Sequence, residues 1–145
     1  MLVRDVMTSN PVCCRRDDRV SDVARLMRDH DCGIIPVCDG TRVVGVVTDR
    51  DIACRAAVDG DVDRAIEQVM TKTVFTVRDD EDVQNAIDLM EAKQVRRLPV
   101  INAKNEIAGI VAPSDLAPTF ASMNVADFLL AVSYWTRPNA MHHAH

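Results

Sequence analysis

The residues Gly45-Val46-Val47-Thr48-Asp49-Arg50-Asp51 hold most of the chemistry this chain could offer. An apolar run ends at Val47 and a polar stretch of helical character follows, so the segment reads as a strand running into a helix. The first turn of a helix has backbone N–H groups with no partner in the helix and carries the positive end of the dipole. It therefore favours an anion such as phosphate. Thr48 adds a hydroxyl. Asp51 stands three residues on, near the same face. A carboxylate there only accepts hydrogen bonds, and it can take both hydroxyls of a ribose. The same spacing suits a purely structural role. A Thr N-cap with an acidic residue at N3 is close to the capping box and stabilises a helix by about 1 kcal/mol with no ligand at all. One hydroxyl can change partners, so the residues alone leave both roles open.

The segment occurs twice. Gly109-Ile110-Val111-Ala112-Pro113-Ser114-Asp115 keeps the glycine and the aspartate. It has Ala112 where Thr48 stood, and Pro113 removes a backbone N–H. Ser114 is then the residue placed to cap the second helix, and a phosphate has less to hold it, although Asp115 could still take a ribose. The duplication runs through the chain. Val6-Met7-Thr8 returns as Val69-Met70-Thr71, Val20 as Val83, Leu26-Met27 as Leu89-Met90, and Pro36-Val37 as Pro99-Val100, all at an offset of 63. From Gly45 and Gly109 onward the offset is 64, a single step that falls in a turn. Two copies of one folding unit produce this pattern, and such repeats decide the fold.

The elements that must position these residues follow from periodicity. In the first copy a strand is expected at 11–14, a helix over 20–29, a strand at 34–38, a turn at Asp39-Gly40, a strand at 43–47 and a helix from about Thr48 to Ala57. The second copy reads as a strand at 74–77, a helix over 83–92, strands at 98–101 and 107–111 around a turn at 102–105, and a closing helix from Ser114 or Asp115. Each copy is β-α-β-β-α. The domains are then 1–58 and 66–120, with the acidic, Gly60-containing stretch 59–65 as linker and 121–145 as a C-terminal helix and tail. Val125, Phe128, Leu129, Val132 and Trp135 keep helical spacing, so 124–136 reads as an amphipathic helix. It either caps its own domain or meets another subunit.

Composition excludes several classes. The chain has 145 residues, 48% of them apolar but only 3% aromatic, so the core is aliphatic. A net charge of −5 and so few aromatics leave neither a basic stripe nor stacking platforms for nucleic acid. No apolar run approaches the ~18–20 residues of a membrane span, and the N-terminus has no secretory pattern. A cytoplasmic location, with no membrane partner, is the expectation. The five cysteines, Cys13, Cys14, Cys32, Cys38 and Cys54, are odd in number and lack zinc-ligand spacing. They read as small buried side chains in a reducing compartment, with no metal. The histidines of the tail 141–145 read as part of a disordered end. His30 fits the C-terminus of the first helix through its charge. No nucleophile has an identifiable base, so no catalytic residue is assigned and the chain does not read as an enzyme.

The series Met-Thr, apolar strand, helix ending in Leu-Met, x-Pro-Val, turn, and Gly-Val-Val-Thr-x-x-Asp, occurring twice over about residues 5–118, resembles a tandem pair of cystathionine-β-synthase (CBS) domains, of the small stand-alone bacterial kind that includes hypoxic-response-type proteins. The resemblance implies an α/β fold with mixed α+β sheets: two β-α-β-β-α repeats packed with pseudo-twofold symmetry, plus the C-terminal amphipathic helix. It also implies ligand clefts between the halves. One would combine Thr48 and Asp51 with Thr71, Val74 and Val95. A weaker second would combine Asp115 with Thr8, Val12 and Cys32. Arg97, two before Pro99, fills a place that often meets phosphate in the family, whereas Ile34 fills it beside Pro36. The implied ligand is an adenosine compound: AMP, ADP or ATP before S-adenosylmethionine or NAD. None is required as a cofactor. The implied role is a regulatory sensor, homodimeric, that signals to a separate protein partner. The alternative is a homodimeric interaction protein with vestigial, ligand-free clefts. On the sensor reading, Asp51→Ala removes binding and leaves the fold intact.

Overall fold

Val20, Val23 and Met27 recur every three or four residues and are all buried, and they turn Val20–Asp29 into a helix with one apolar face. Val83, Ala86, Ile87 and Met90 do the same for Val83–Lys93. These are the main helices of a computed structural model of the chain, which describes residues 1–116. The helix expected at 124–136 and the histidine-containing tail lie outside the described residues. In chain order the helices are α1 (Val3–Val6), α2 (Val20–Asp29), α3 (Asp49–Asp51) and α4 (Val83–Lys93), and the strands are β1 (Thr8–Ser9), β2 (Cys14–Arg15), β3 (Ile34–Asp39), β4 (Arg42–Thr48), β5 (Val77–Arg78), β6 (Leu98–Ile101) and β7 (Ile107–Val111). No helix of the described residues is long and apolar enough to cross a membrane.

The chain forms two compact units, and neither is one unbroken stretch of repeat. Pro11–Val74 makes one. Met1–Asn10 with the described residues from Phe75 to Leu116 makes the other. In the first, β2 runs parallel to β3, β3 runs antiparallel to β4, and Thr71 pairs with Val46 on the far edge of β4. In the second, β5 runs parallel to β6, β6 antiparallel to β7, and Thr8 of β1 pairs with Ile110 of β7. Each copy's leading Met-Thr segment thus completes the sheet of the other copy.

The reciprocity extends to single backbone bonds. Ile66 N–H donates to the Asp18 carbonyl at 2.7 Å, and Val3 N–H, 63 residues earlier, donates to Glu81 at 2.9 Å. Val20 N–H reaches the Arg64 carbonyl and Val83 N–H that of Met1. Val3 belongs to the aliphatic core with Leu98, Val100 and Val111, and Ile66 to the core with Ile35, Val37 and Val47. Met7 and Met70 have matching surroundings, each lying over the glycine of the opposite copy's Gly-Val-Val or Gly-Ile-Val strand.

Several boundaries differ from the sequence expectation. The strand expected at 11–14 pairs only at Cys14–Arg15, because Pro11 has no N–H to give a ladder. The strand expected at 74–77 pairs only at Val77–Arg78, where β6 offers Val100 and Ile101 as partners. The helix expected through Ala57 is three α-helical residues followed by a π-helical turn over Ile52–Ala57. Ser114 does not precede the second copy's turn. It lies inside a 3₁₀ turn over Pro113–Leu116 that opens on Pro113, a residue suited to a first helical position. The short α1 and the 3₁₀ turn Ile66–Gln68 were not anticipated, since neither is long enough to show a period.

The two long helices end alike: Asp31 and Gln94 take left-handed φ of 50° and 53° at equivalent positions. Glycine is the residue that adopts this conformation without a Cβ penalty. Gln94→Gly is expected to raise stability by about 0.5–1 kcal/mol, read as an upward shift of the denaturant midpoint at unchanged slope. An unchanged or lower midpoint contradicts it.

Candidate ligand-binding site

Burial of polar groups is costly unless they are hydrogen-bonded. Among the described residues the buried polar or charged ones are Thr48, Asp51 and Thr71, at 7%, 1% and 5% exposure. All three meet in one cluster. Strand β4 delivers Thr48 to the sheet edge, the chain turns into α3, and Asp51 comes back over the turn. Thr48 N–H donates to Asp51 Oδ2 at 3.0 Å, and Asp51 N–H donates to Thr48 Oγ1 at 3.1 Å, a closed capping box. The Thr71 hydroxyl donates to the same Oδ2 at 3.5 Å. Thr71 reaches this place because its backbone pairs with Val46, two residues before Thr48, at 2.8 and 3.0 Å.

The carboxylate has a further neighbour that sequence reading missed. Arg55, on the π-helical turn, brings Nε to 3.8 Å from Asp51 Oδ1. Its Nη1 donates to the carbonyls of Val69 and Met70 at 3.2 and 3.3 Å. The spacing i, i+4 from an aspartate was the available signal. Val74 is half-buried in the same unit, whereas Val95 belongs to the other unit and is buried in its core, its N–H on the Met90 carbonyl.

The second copy keeps the frame and loses the hydroxyl. Asp115 Oδ2 accepts from Ala112 N–H at 2.8 Å, the counterpart of the Thr48–Asp51 bond. The Asp115 N–H turns to the Ala112 carbonyl, where a threonine would have offered Oγ1. Asp115 is half-buried, and Thr8, counterpart of Thr71, is exposed. Arg97 is exposed, with no ion pair among the described residues, and Arg96 is half-buried. Val12 and Cys32, both half-buried, belong to the unit of Thr48 and not to that of Asp115.

Both glycines of the motif permit close approach. A Cβ on Gly45 would lie 2.6 Å from Met70 Sδ and 3.0 Å from the Thr71 carbonyl oxygen. On Gly109 it would lie 2.6 Å from the Thr8 carbonyl oxygen and 2.7 Å from Met7 Sδ. Any side chain at these positions pushes the exchanged Met-Thr segment away and, with Gly45, moves Thr71 from Asp51.

The cysteines surround a different place, and one departs from expectation. Cys14 and Cys38 are buried, Cys13 and Cys32 half-buried, but Cys54 is exposed on the outer side of the π-helical turn. Burial, with the charges of Asp18 and Cys13, pushes the Cys14 thiol up to about 12. The Cys38 thiol is raised by its hydrogen bond to Cys13 and by burial, and Cys13 is lowered by accepting that bond. At pH 8 a small alkylating reagent is expected to modify the exposed Cys54 well before Cys14, which stays untouched until the protein unfolds. Mass mapping that finds Cys14 labelled as fast as Cys54 contradicts this. Among the described residues no group of three or more His, Cys, Asp or Glu is placed to hold a metal ion.

Comparison with known proteins bears on the same residues. The CBS domain model matches the chain twice, at 3–56 and 66–121. Hypoxic response protein 1 of Mycobacterium tuberculosis is 31% identical over 132 residues, covering 89% of this chain and 92% of its own. A crystal structure of Hypoxic Response Protein I with two coordinated zinc ions is similar at a TM-score of 0.73 and 30% identity, over 81% of this chain and 98% of the other. The CBS domain pair of protein MJ0100, in complex with 5-methylthioadenosine and S-adenosyl-L-methionine, is similar at a TM-score of 0.74 and 26% identity, over 83% of this chain and 99% of the other.

Proposed function

The chain belongs to the CBS domain family as a tandem pair, and on that premise we propose that it is a sensor of an adenosine compound, held at Thr48, Asp51 and Thr71. The observation that carries the reading is the concentration of the buried polar side chains of the described residues in this one cluster. Burying a carboxylate beside two hydroxyls carries a desolvation cost that the capping box offsets only in part, which favours a further role for the group. A ribose supplies the matching partner: two adjacent hydroxyl donors for a carboxylate that only accepts. The MJ0100 pair, at 26% identity, is solved with two ligands that both contain adenosine, which supports that class of ligand here. The Thr48 hydroxyl can donate to a phosphate or carboxylate appended to it, while the N–H groups of Asp49, Arg50 and Asp51 are taken by the Gly33 carbonyl, the Asp49 carboxylate and Thr48 Oγ1. AMP, ADP and ATP lead the candidates, with S-adenosylmethionine and NAD behind. The protein acts as a homodimer in the cytoplasm, reports occupancy to a separate protein and carries no catalysis of its own.

A second reading has an observation behind it. Asp51 is engaged by its own chain, through Thr48 N–H and Arg55, so the cluster also serves as a self-sufficient structural lock in an interaction protein with vestigial sites. A thermal-shift series with AMP, ADP, ATP, S-adenosylmethionine and NAD separates the two. A ligand at 100 times its dissociation constant stabilises the native state by about 2.7 kcal/mol, and the sensor reading expects at least one such shift. A flat response to all five supports the structural lock.

A further inference from the structure

Arg55 joins the proposed ribose carboxylate to the backbone carbonyls just before Thr71. Its Nε lies 3.8 Å from Asp51 Oδ1. Its Nη1 forks to the carbonyls of Val69 and Met70 at 3.2 and 3.3 Å. Those carbonyls end the 3₁₀ turn Ile66–Gln68 and lead directly into Thr71, the residue whose hydroxyl shares Asp51. The arginine is itself held from behind: Arg64 Nη1 donates to the Arg55 carbonyl at 3.0 Å and to Asp59 Oδ2 at 3.2 Å. The Asp51 side chain is fully buried while that of Arg55 is 44% exposed, so Arg55 can leave at modest cost and Asp51 cannot. The π-helical turn over Ile52–Ala57 carries Arg55 at the i+4 position of this pair. Such turns concentrate at functional sites.

We propose that Arg55 is a positioning residue that clamps residues 69–71 to Asp51, and that a ligand engaging the Asp51 carboxylate releases the clamp. The inference rests on the sensor reading and adds its output. A ribose hydroxyl on Oδ1 takes the lone pairs that face Arg55 and weakens that ion pair. The guanidinium then no longer fixes the Val69 and Met70 carbonyls. The segment that loosens is the exchanged one, which completes the sheet of the opposite copy and continues into the second repeat. Occupancy at one carboxylate thereby changes the leading backbone segment of the second copy, which is the differential contact any ligand-driven shift requires.

The test uses the full chain, adenosine as probe, and the variants Arg55→Met and Arg55→Lys, read by calorimetry and by amide hydrogen exchange at Val69 and Met70. In the wild type, adenosine is expected to speed exchange at both amides. Arg55→Met is expected to show fast exchange without ligand, no further response to adenosine, and about two- to fivefold tighter binding, the worth of one partly exposed ion pair. Arg55→Lys keeps a charge near Asp51 but cannot fork to two carbonyls, so its affinity stays near wild type while exchange stays fast. Arg55→Met with wild-type affinity and wild-type exchange overturns the clamp. If adenosine binds neither protein, the sensor reading fails, and the ligand-free exchange decides the clamp separately: faster in Arg55→Met supports it, unchanged overturns it.

Discussion

Asp51→Asn is expected to weaken adenosine binding by roughly 10- to 100-fold while keeping the fold, because a carbonyl oxygen remains to accept Thr48 N–H but one charged acceptor for the ribose is gone. Hydrogen bonds to charged groups contribute about 1.5–3 kcal/mol each, and an amide presents only one acceptor where a carboxylate presents two. Asp51→Ala behaves differently. From the sequence it reads as a change that removes binding and spares the fold. The structure corrects this: the carboxylate is 1% exposed and accepts from both Thr48 N–H and the Thr71 hydroxyl. Removing it withdraws that acceptor from both groups and opens a cavity, at about 2–4 kcal/mol. Titration calorimetry beside a urea melt distinguishes the two variants. Wild-type affinity in Asp51→Asn excludes this carboxylate as the ribose acceptor.

Gly109→Ala is expected to destabilise the protein more than Gly45→Ala, although the two positions are copies. At Gly109 the new methyl would meet the Thr8 carbonyl oxygen at 2.6 Å, a backbone atom that moves only with strand β1. At Gly45 the closest atom, also at 2.6 Å, is the thioether of Met70, which can rotate away, and the Thr71 carbonyl lies at 3.0 Å. Overpacking of this kind costs about 1–3 kcal/mol, with Gly109→Ala at the upper end and Gly45→Ala at the lower. The functional order is the reverse. Gly45→Ala disturbs Thr71 beside Asp51 and should reduce adenosine affinity, whereas Gly109→Ala leaves that cluster alone. Equal melting temperatures for the two variants contradict the backbone-clash argument.

The repeated order of elements was legible because it is written in apolar period: Val20, Val23 and Met27, then Val83, Ala86 and Met90, mark two helices, and the runs at 34–38 and 98–101 mark strands within a residue of their observed ends. Which copy each Met-Thr segment serves was legible only through the family resemblance, which set Thr71 with Asp51 and Thr8 with Asp115. Thr8 and Thr71 lie closest in sequence to their own repeats, and the pairing of Thr8 with Ile110 and of Thr71 with Val46 shows the exchange. Local pattern carries no record of such long-range pairing. The capping box at Thr48 and Asp51 was legible from spacing and is present. Its burial was not, since Asp51 is as polar in sequence as exposed Asp49 two residues earlier. Arg55 went unread because one arginine in a polar helix has many possible partners. Cys54 was grouped with its buried neighbours by residue type, and only the outward side of the π-helical turn separates it from them.

The most direct test of the site is a titration of isotope-labelled protein with adenosine, followed through the backbone amide resonances. The Thr48, Asp51 and Thr71 signals should move together along one saturable curve, with those of Ala112 and Asp115 moving less or later. Saturable binding that leaves these three still, or the absence of any movement up to millimolar adenosine, would contradict the assignment of this buried cluster as the ribose site.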